Sequence, residues 1–220
     1  MSSNTKDGIT IRIMTVEDYK NVKAFMEDDF LLSEPLSQSS GESFHQNKDN
    51  GEYLLSMIAQ DTCLVALDEN NGGRLVGFVM AGAQFPEDTE QHRVEAEAME
   101  QHTWGRIYRL LSKIEREANI FERFGISKAL YSHITSVDKA MRGKGLGSRL
   151  AATLMEVGRS KGFPVMVAYC TSFFSARQKE ALGMQCIHSL TYADYKDAHG
   201  QPIFKPAAPH TMVRAMAIKL

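Results

Sequence analysis

A glycine-rich turn between an expected strand and an expected helix constrains this chain more than any other feature. The turn consists of Arg142, Gly143, Lys144, Gly145, Leu146 and Gly147. The pattern predicts a strand over residues 129–137 and a helix that begins near Leu146. Such a turn leaves backbone N–H groups unpaired at the positive end of the helix dipole. The sequence therefore predicts an anion cradle of the kind that holds a pyrophosphate.

Two nucleotide-binding patterns fail at this turn. A Walker A loop requires Gly-x-x-x-x-Gly-Lys-Ser/Thr, whereas Lys144 lies between two glycines. A dinucleotide fingerprint requires a third glycine or alanine where Ser148 stands, and an acidic residue at the end of the next strand. That strand ends in Tyr169, Cys170 and Thr171, none of which is acidic.

Size and composition place the chain among ordinary globular proteins. It has 220 residues and a net charge of −2, without a basic face that would indicate a nucleic-acid partner. It lacks an apolar run of roughly 20 residues, as a membrane span requires, and a signal-peptide core. Its 3 widely spaced cysteines favour a reducing compartment. We therefore expect a cytoplasmic, metal-free, single domain over residues 1–220, with residues 1–8 as an unstructured lead and a monomer as the favoured state.

Hydrophobic periodicity predicts mixed strands and helices. Strands are expected near residues 9–13, 63–67, 75–83, 129–137, 165–170, 185–192 and 212–218, and helices near 18–30, 51–60, 104–121, 146–161 and 175–182. Pro35 is expected to end the first helix, and residues 33–43 to form a polar connection. The charged segment 86–101 is expected to be a loop or a frayed helix. These elements predict an α+β or α/β domain with one central mixed sheet.

The turn matches a third pattern, Gln/Arg-x-x-Gly-x-Gly/Ala, through Arg142, Gly145 and Gly147. In this respect the chain resembles the GNAT acetyltransferase superfamily, whose members hold the pyrophosphate of acetyl-CoA with this motif. The resemblance implies the GNAT fold, an α+β fold with a mixed, mostly antiparallel sheet flanked by helices. It also implies acetyl-CoA as the co-substrate, with no metal.

Further runs resemble insect arylalkylamine N-acetyltransferases of the dopamine N-acetyltransferase type. These runs are Glu-Pro-Leu at 34–36, Ser-Val-Asp at 136–138, Ser-Ala-Arg at 175–177, Tyr-Ala-Asp-Tyr-Lys at 192–196 and Phe-Lys-Pro-Ala-Ala-Pro-His at 204–210. They occur in order over nearly the whole chain. The resemblance implies transfer of acetyl to the primary amine of a small arylalkylamine, such as dopamine, octopamine, tyramine, serotonin or tryptamine.

The same resemblance implies catalytic roles for three residues. Glu34 corresponds to the glutamate that acts as general base through water, and the alternative is a solvated glutamate that ends a helix. Ser175 and Thr171 correspond to two hydroxyls implicated in handling substrate and protonating the leaving thiolate. Thr171 replaces a serine of the family, and Ser175 also suits the N-cap of the following helix.

For the donor, we expect backbone N–H groups near Val137 to meet the thioester carbonyl. The segment from Arg142 to Gly147 should bind pyrophosphate through its main chain, since glycines allow close approach. Ser148 and Arg149 open the helix within reach of phosphate oxygens, and Lys144 either adds charge or is simply solvated.

Several alternatives remain open at this point. His133 is interpreted as a sheet histidine rather than a base, and Cys170 as an inert buried thiol. The sequence is also compatible with another acceptor, such as a polyamine, histamine, a hydrazine-like compound or a protein lysine. A CoA-binding module without catalysis is a further possibility. Direct transfer in a ternary complex is favoured, because no activated nucleophile is visible.

Overall fold

One mixed sheet organises the chain. The computed structural model describes residues 4–39, 51–100 and 102–220. Within these ranges the strands are β1 (Asn4–Lys6), β2 (Ile9–Ile13), β3 (Leu64–Asp68), β4 (Arg74–Gln84), β5 (Ala129–Val137), β6 (Val165–Cys170), β7 (Gln185–Thr191) and β8 (Met212–Lys219). Their spatial order is β1-β2-β3-β4-β5-β6-β8-β7. Each neighbouring pair is antiparallel except β5 and β6. This confirms the predicted mixed, mostly antiparallel sheet.

Helices cover both faces of this sheet. They are α1 (Tyr19–Phe25), α2 (Leu31–Ser33), α3 (Pro35–Ser39), α4 (Gly51–Ile58), α5 (Pro86–Ala98), α6 (Thr103–Ala118), α7 (Ile120–Phe124), α8 (Leu146–Ser160) and α9 (Phe173–Ala181). A π-helical turn, Met26–Phe30, joins α1 to α2. Three 3-10 turns occur at Val16–Asp18, Glu69–Asn71 and Lys139–Met141. No helix of the described ranges is long and apolar enough to cross a bilayer.

Two local expectations are wrong, and both concern a helix that begins at a proline. Pro35 does end the helical run before it, but it also starts α3. Pro86 likewise opens α5, where a loop or a frayed helix was expected. Proline suits the first position of a helix, since its fixed φ is helical and its missing N–H has no helical partner to lose. The rest of the expected polar connection, residues 40–43, lies outside the described residues.

Two more expectations need correction. The expected lead over residues 1–8 is wrong for Asn4–Lys6, which pairs with β2 as an edge strand; residues 1–3 lie outside the described ranges. The helix expected over 104–121 divides at Asn119, whose φ of 43° is left-handed. Asparagine tolerates this conformation better than most residues, so the chain ends α6 there and begins α7.

The core has two layers, one on each side of the sheet. Leu150 and Leu154 of α8 are buried on one face, in a cluster with Val79 and Met166 of the strands. On the other face, α6 buries residues such as Leu110 against β6 and β8, while α1 and α4 pack over β3 and β4. The strand predicted for residues 165–170 is buried along its whole length.

A gap opens in the sheet between its two parallel strands. β5 and β6 pair only at Leu130 with Met166 and at Tyr131 with Val167. Beyond these pairs β5 continues to Val137 and β6 to Cys170 without pairing to each other. The strands therefore separate toward their C-terminal ends, directly beside the glycine-rich turn.

Candidate functional site

The glycine-rich turn has the backbone that an anion cradle needs. Gly143 and Gly145 have φ values of 76° and 78°, in the left-handed region that favours glycine. Gly145 is the N-cap of α8, and the first helical bond joins Arg149 N–H to its carbonyl at 3.0 Å. The N–H groups in the first turn of α8 therefore have no partner within the helix. Leu146 is buried in the core and anchors the turn, so only its backbone faces the cradle.

Gly147 permits close packing between two helices. A Cβ added at this position would lie 2.2 Å from Nε2 of Gln178 in α9 and 3.6 Å from Cγ2 of Val137. Gly143 and Gly145 are not crowded in this way. A Cβ added at either of them would meet nothing within 4 Å. The turn is thus open on its outer side and tightly packed underneath, as an acetyl-CoA pyrophosphate would require.

Arg142 does not stand free over the turn. Its Nε donates to the carbonyl of Val137 at 2.9 Å, and its guanidinium pairs with Asp29. The same guanidinium donates to Oγ of Ser33 at 3.2 Å. The side chain therefore joins the end of β5 to the π-helical turn and to the residue that precedes Glu34.

The other polar side chains near the turn divide into two groups. Arg149 donates to the carbonyls of Lys6 and Ile9, each at 3.2 Å, and so ties α8 to the edge of the sheet. The guanidinium of Arg149 is therefore engaged at the edge of the sheet, and its contact with phosphate stays a prediction. Lys144 is exposed, and Ser148 is half-buried in the first turn of α8.

The backbone N–H of Val137 points into the gap between β5 and β6. Asp138 N–H donates to the carbonyl of Val76 at 2.9 Å, and Val137 is paired with Gly77. Along an antiparallel ladder, successive residues turn their N–H and C=O groups to opposite sides. The N–H of Val137 therefore faces away from β4 and toward the gap.

Glu34 is a buried carboxylate with three hydrogen-bond donors. It is 9% exposed. Its Oε2 accepts from the N–H of Ser37 at 2.7 Å and from the Ser37 hydroxyl at 2.8 Å. Its Oε1 accepts from the Thr171 hydroxyl at 2.8 Å. The interpretation of Glu34 as a solvated loop residue is wrong.

The local sequence explains why Glu34 is held so firmly. Its φ of −73° and ψ of 126° are extended, which the following Pro35 favours. Pro35 then occupies the first position of α3, so that Glu34 caps this helix through Ser37, three residues on. The bond resembles an ordinary N-cap, with a longer side chain than usual.

Thr171 links Glu34 to the end of β6. It directly follows Cys170, where β6 has separated from β5. Its carbonyl accepts from the hydroxyl of Tyr192 at 2.5 Å. Burial, together with the nearby charge of Glu34, raises the pKa of Tyr192 and keeps this hydroxyl protonated. Glu34, Thr171 and Tyr192 thus come from three distant segments.

Ser175 lies within the first turn of α9. Its N–H donates to Oγ of Ser172 and its hydroxyl to the carbonyl of Ser172, both at 3.0 Å. Ser172 is therefore the N-cap, and the expectation that Ser175 caps this helix is wrong. Ser175 lies near the thiol of Cys170, whose pKa is raised by burial. Among the described contacts, none joins Ser175 to Glu34 or Thr171.

His210 completes the N-terminus of α9. Its Nδ1 accepts from the N–H of Phe173 at 3.1 Å, so the ring must carry its proton on Nε2 when neutral. Its ring also contacts Phe174 edge-to-face. Burial lowers the pKa of His210, although the charge of Glu34 opposes this shift. The C-terminal run that contains His210 therefore supports the helix that follows Thr171.

A cavity of about 250 Å³ lies on the α6 face of the sheet. Five aromatic residues line it: Tyr53, Trp104, Tyr108, Tyr131 and Tyr169. The rings of Tyr131 and Tyr169 are 5.3 Å apart, centroid to centroid. These two residues belong to β5 and β6, where the strands begin to separate, so the cavity adjoins the gap.

Two carboxylates also line this cavity. Glu115 is buried, and it accepts from Nε2 of Gln84 at 2.7 Å and pairs with Nδ1 of His92 at 2.9 Å. Burial disfavours the charged form of His92, but the hydrogen bond and charge of Glu115 outweigh it and raise the His92 pKa. Glu95 is exposed at the cavity rim, where it accepts from the hydroxyl of Tyr108 at 2.9 Å. No cluster of three or more potential metal ligands occurs in the described ranges.

His133 also lines the cavity, two residues after Tyr131 and at a bulge in β5. Met80 pairs with Ile134 and Ala81 with Ser132, which leaves His133 as the extra residue. Its Nδ1 lies 3.1 Å from the hydroxyl of Tyr131. Burial lowers the pKa of His133 to about 4, so its ring is neutral at physiological pH.

Some of these residues were not identified from the sequence. Ser37 had no recognised signal, because the usual capping box has its serine three residues before the glutamate rather than after it. Tyr192 lay within a recognised run but without a role. Glu115 and His92 had no signal, because they meet only when α5 packs on α6.

The matches to known proteins now define the class. A model of the acetyltransferase (GNAT) family matches residues 25–179. The chain therefore belongs to the GNAT family of acetyltransferases, enzymes that use acetyl-CoA as acetyl donor. The predicted GNAT fold is confirmed.

Solved structures of insect enzymes are similar over nearly the whole chain. A mosquito arylalkylamine N-acetyltransferase-like 5b is 31% identical, with a TM-score of 0.86 over 96% of this chain and 100% of that one. The Drosophila melanogaster polyamine N-acetyltransferase, which forms N-acetylagmatine, is 34% identical, with a TM-score of 0.85 over 96% and 100%. Arylalkylamine N-acetyltransferase 2 from Aedes aegypti is 26% identical, with a TM-score of 0.88 over 97% and 99%.

Proposed function

We propose that this protein transfers acetyl from acetyl-CoA to the primary amine of a small arylalkylamine, by direct transfer in a ternary complex. The observation that carries this proposal is the buried Glu34 carboxylate, bonded to Thr171 where β5 and β6 separate. A general base placed there reaches a reaction centre held in the gap.

The donor is held mainly by backbone. The N–H groups at Gly143 to Gly147 and the first turn of α8, including Ser148, bind the pyrophosphate, supported by the helix dipole. Lys144 adds charge from the exposed side. The N–H of Val137 faces the gap and stabilises negative charge that develops on the thioester oxygen. Arg142 positions the end of β5 through its bond to the Val137 carbonyl.

The acceptor must first lose a proton, because an alkylammonium has a pKa near 10. Glu34 takes this proton through water and releases it to solvent. The amine lone pair then forms the C–N bond, and the C–S bond breaks. The second amine proton passes to Glu34, and the hydroxyl of Thr171 donates its own proton to the thiolate while it recovers one from Glu34.

Two further residues bear on this mechanism. Ser175 is the second candidate proton donor to the thiolate, since its hydroxyl lies one turn from Thr171 and beside Cys170. The Cys170 thiol itself is a poor nucleophile, because burial raises its pKa. This supports direct transfer rather than an acyl-enzyme.

The aromatic cavity supports an arylalkylamine as the acceptor. The rings of Tyr131, Tyr169 and Trp104 offer faces and edges against which an aromatic ring packs. A second candidate is an agmatine-like or polyamine acceptor. Glu95 and Glu115 in the cavity lining favour it, as does the similarity to the enzyme that forms N-acetylagmatine.

An amine panel tests the proposal. Purified protein is incubated with acetyl-CoA and, separately, phenethylamine, tyramine, dopamine, serotonin, agmatine, putrescine, histamine and a lysine peptide, and products are identified by mass spectrometry. We expect N-acetylation of the arylalkylamines. Turnover of the peptide alone would contradict a small-molecule acceptor. Tight acetyl-CoA binding by calorimetry without turnover of any amine would instead indicate a non-catalytic CoA-binding module.

A further inference from the structure

The aromatic cavity extends away from the proposed reaction centre along one face of β6. Tyr169 and Thr171 are two residues apart, so their side chains share a face at a spacing of about 6.6 Å. At the other end, Glu115 bonds to Gln84, which pairs with Ala129 at the start of β5. A molecule whose amine reaches Glu34 therefore places its far end toward the acidic part of the cavity.

The charge of this part of the cavity is unbalanced. The described residues that line it include two carboxylates, Glu95 and Glu115, and none of them is a lysine or an arginine. His92 neutralises at most one of them, through its bond to Glu115. His133 contributes no charge at neutral pH, since burial lowers its pKa to about 4. Because a poorly hydrated cavity strengthens electrostatic attraction, a cation is the complementary ligand.

The aromatic rings provide a second element of cation recognition. Tyr108 donates to Glu95, so that one ring and one carboxylate form a single edge of the cavity. Trp104 lies one helical turn before Tyr108 on α6 and lines the same cavity. A cation held near the face of such rings gains about 0.5–2 kcal/mol from the aromatic quadrupole.

A chain of polar groups connects Tyr169 to Glu115. The hydroxyl of Tyr169, in the cavity lining, interacts with the side-chain amide of Gln84, and Nε2 of Gln84 donates to Glu115 at 2.7 Å. The polar end of the cavity is therefore continuous with the carboxylate of Glu115.

We infer that the acidic part of this cavity is a subsite for a second cationic group, so that an arylalkylamine with a positive charge at the end opposite to the reacting amine is a better acceptor than the same frame with a neutral end. Glu95 is the specificity-determining residue at the rim. This inference rests on the proposed function, because it assumes that the reacting amine lies at Glu34.

A matched pair of acceptors tests the subsite. 4-(2-Aminoethyl)benzamidine and 4-(2-aminoethyl)benzamide have the same shape and the same reacting amine, but only the first has a cationic far end. We expect kcat/KM for the amidine to exceed that for the amide by about fivefold, the upper end of the range for an ion pair with an exposed carboxylate such as Glu95. A ratio of 1 or below would overturn the subsite.

Two substitutions locate the effect. Glu95→Gln should bring the amidine-to-amide ratio to within about twofold of unity, with little change for the amide. Glu97→Gln is the control, because Glu97 is exposed on the same helix and pairs with Arg93 outside the cavity lining. This variant should keep the wild-type ratio. An unchanged ratio in Glu95→Gln would refute the role of Glu95.

A binding measurement separates failure of the subsite from failure of the proposed function. Trp104 is the single tryptophan of the chain and lines the cavity, so its fluorescence reports occupancy directly. Tighter amidine than amide binding without acetylation would uphold the subsite and contradict the proposed function. Acetylation of phenethylamine with equal binding of the amidine and the amide would uphold the proposed function and contradict the subsite.

Discussion

The donor and acceptor sides of this site are built in different ways. The proposed donor side is one consecutive segment, from Val137 to Ser148, and the groups proposed to bind there are mainly backbone N–H groups. The proposed acceptor side joins Glu34, Thr171 and a cavity formed by α4, α5, α6, β5 and β6. A site made of backbone in one segment leaves a motif in the sequence, whereas a site made of side chains from many segments does not.

The two sides are nevertheless in contact. Arg142, in the donor motif, pairs with Asp29 and bonds to Ser33, the residue before Glu34. Occupancy of the turn by pyrophosphate and the placement of Glu34 therefore share one side chain. Substitutions that affect one side and spare the other show how far the two are independent.

The largest effect is expected from Glu34→Gln. The amide still has an oxygen to accept from Ser37, which keeps α3 capped, but it no longer takes a proton. We expect kcat to fall by about 10²- to 10⁴-fold, with the Kd for acetyl-CoA within about twofold of wild type. Steady-state kinetics and calorimetry check the two values. Undiminished turnover would remove Glu34 from the mechanism.

Thr171→Val should have the next largest effect. It keeps the shape of the side chain but removes the hydroxyl that donates to Glu34, and a hydrogen bond to a charged group contributes about 1.5–3 kcal/mol. We expect kcat to fall by about tenfold or more. Thr171→Ser is the matched control and should stay near wild type. Equal activity of both variants would show that the hydroxyl has no role.

Two glycine substitutions probe the donor side. Gly145→Ala forces a left-handed conformation on alanine, which costs about 1–2 kcal/mol, and should weaken acetyl-CoA binding by about 5- to 30-fold. Gly147→Ala meets only the flexible end of Gln178, so its effect should be about twofold. Calorimetry with acetyl-CoA ranks them, and the reverse order would mean that crowding rather than strain controls the turn.

The smallest effect concerns pH and His210. Because its folded pKa is lowered, the unfolded chain binds more protons in this range, and stability falls as pH drops below about 6.5. His210→Gln offers an acceptor to Phe173 N–H without titrating. Between pH 7 and pH 5, the Tm of wild type should therefore fall by more than the Tm of this variant. A pH-independent difference would contradict the role of His210 as a neutral cap.

Much of the fold followed from local patterns. The strands at 129–137 and 165–170 have the bounds expected from periodicity. The errors arose for different local reasons. Pro35 ends one helix and begins another, the high charge of residues 86–101 concealed a helix that begins at Pro86, and Asn119 divides a helix without interrupting the apolar stripe. At the site, Glu34 and Ser175 were found by resemblance, but Ser175 was assigned the cap that Ser172 provides.

The sequence by itself indicated which kind of donor the turn suits, one that carries a pyrophosphate. Backbone with a positive φ, a free helix N-terminus and close approach of the backbone each require particular residues at fixed spacing, so they leave a motif. The sequence could not determine what faces the acceptor. The pairing of Glu115 with His92, the position of the cavity beside β5 and β6, and the bond from Thr171 to Glu34 all depend on how helices pack on a splayed sheet. Long-range packing leaves no local pattern, so only the tertiary structure decided the chemistry of that pocket.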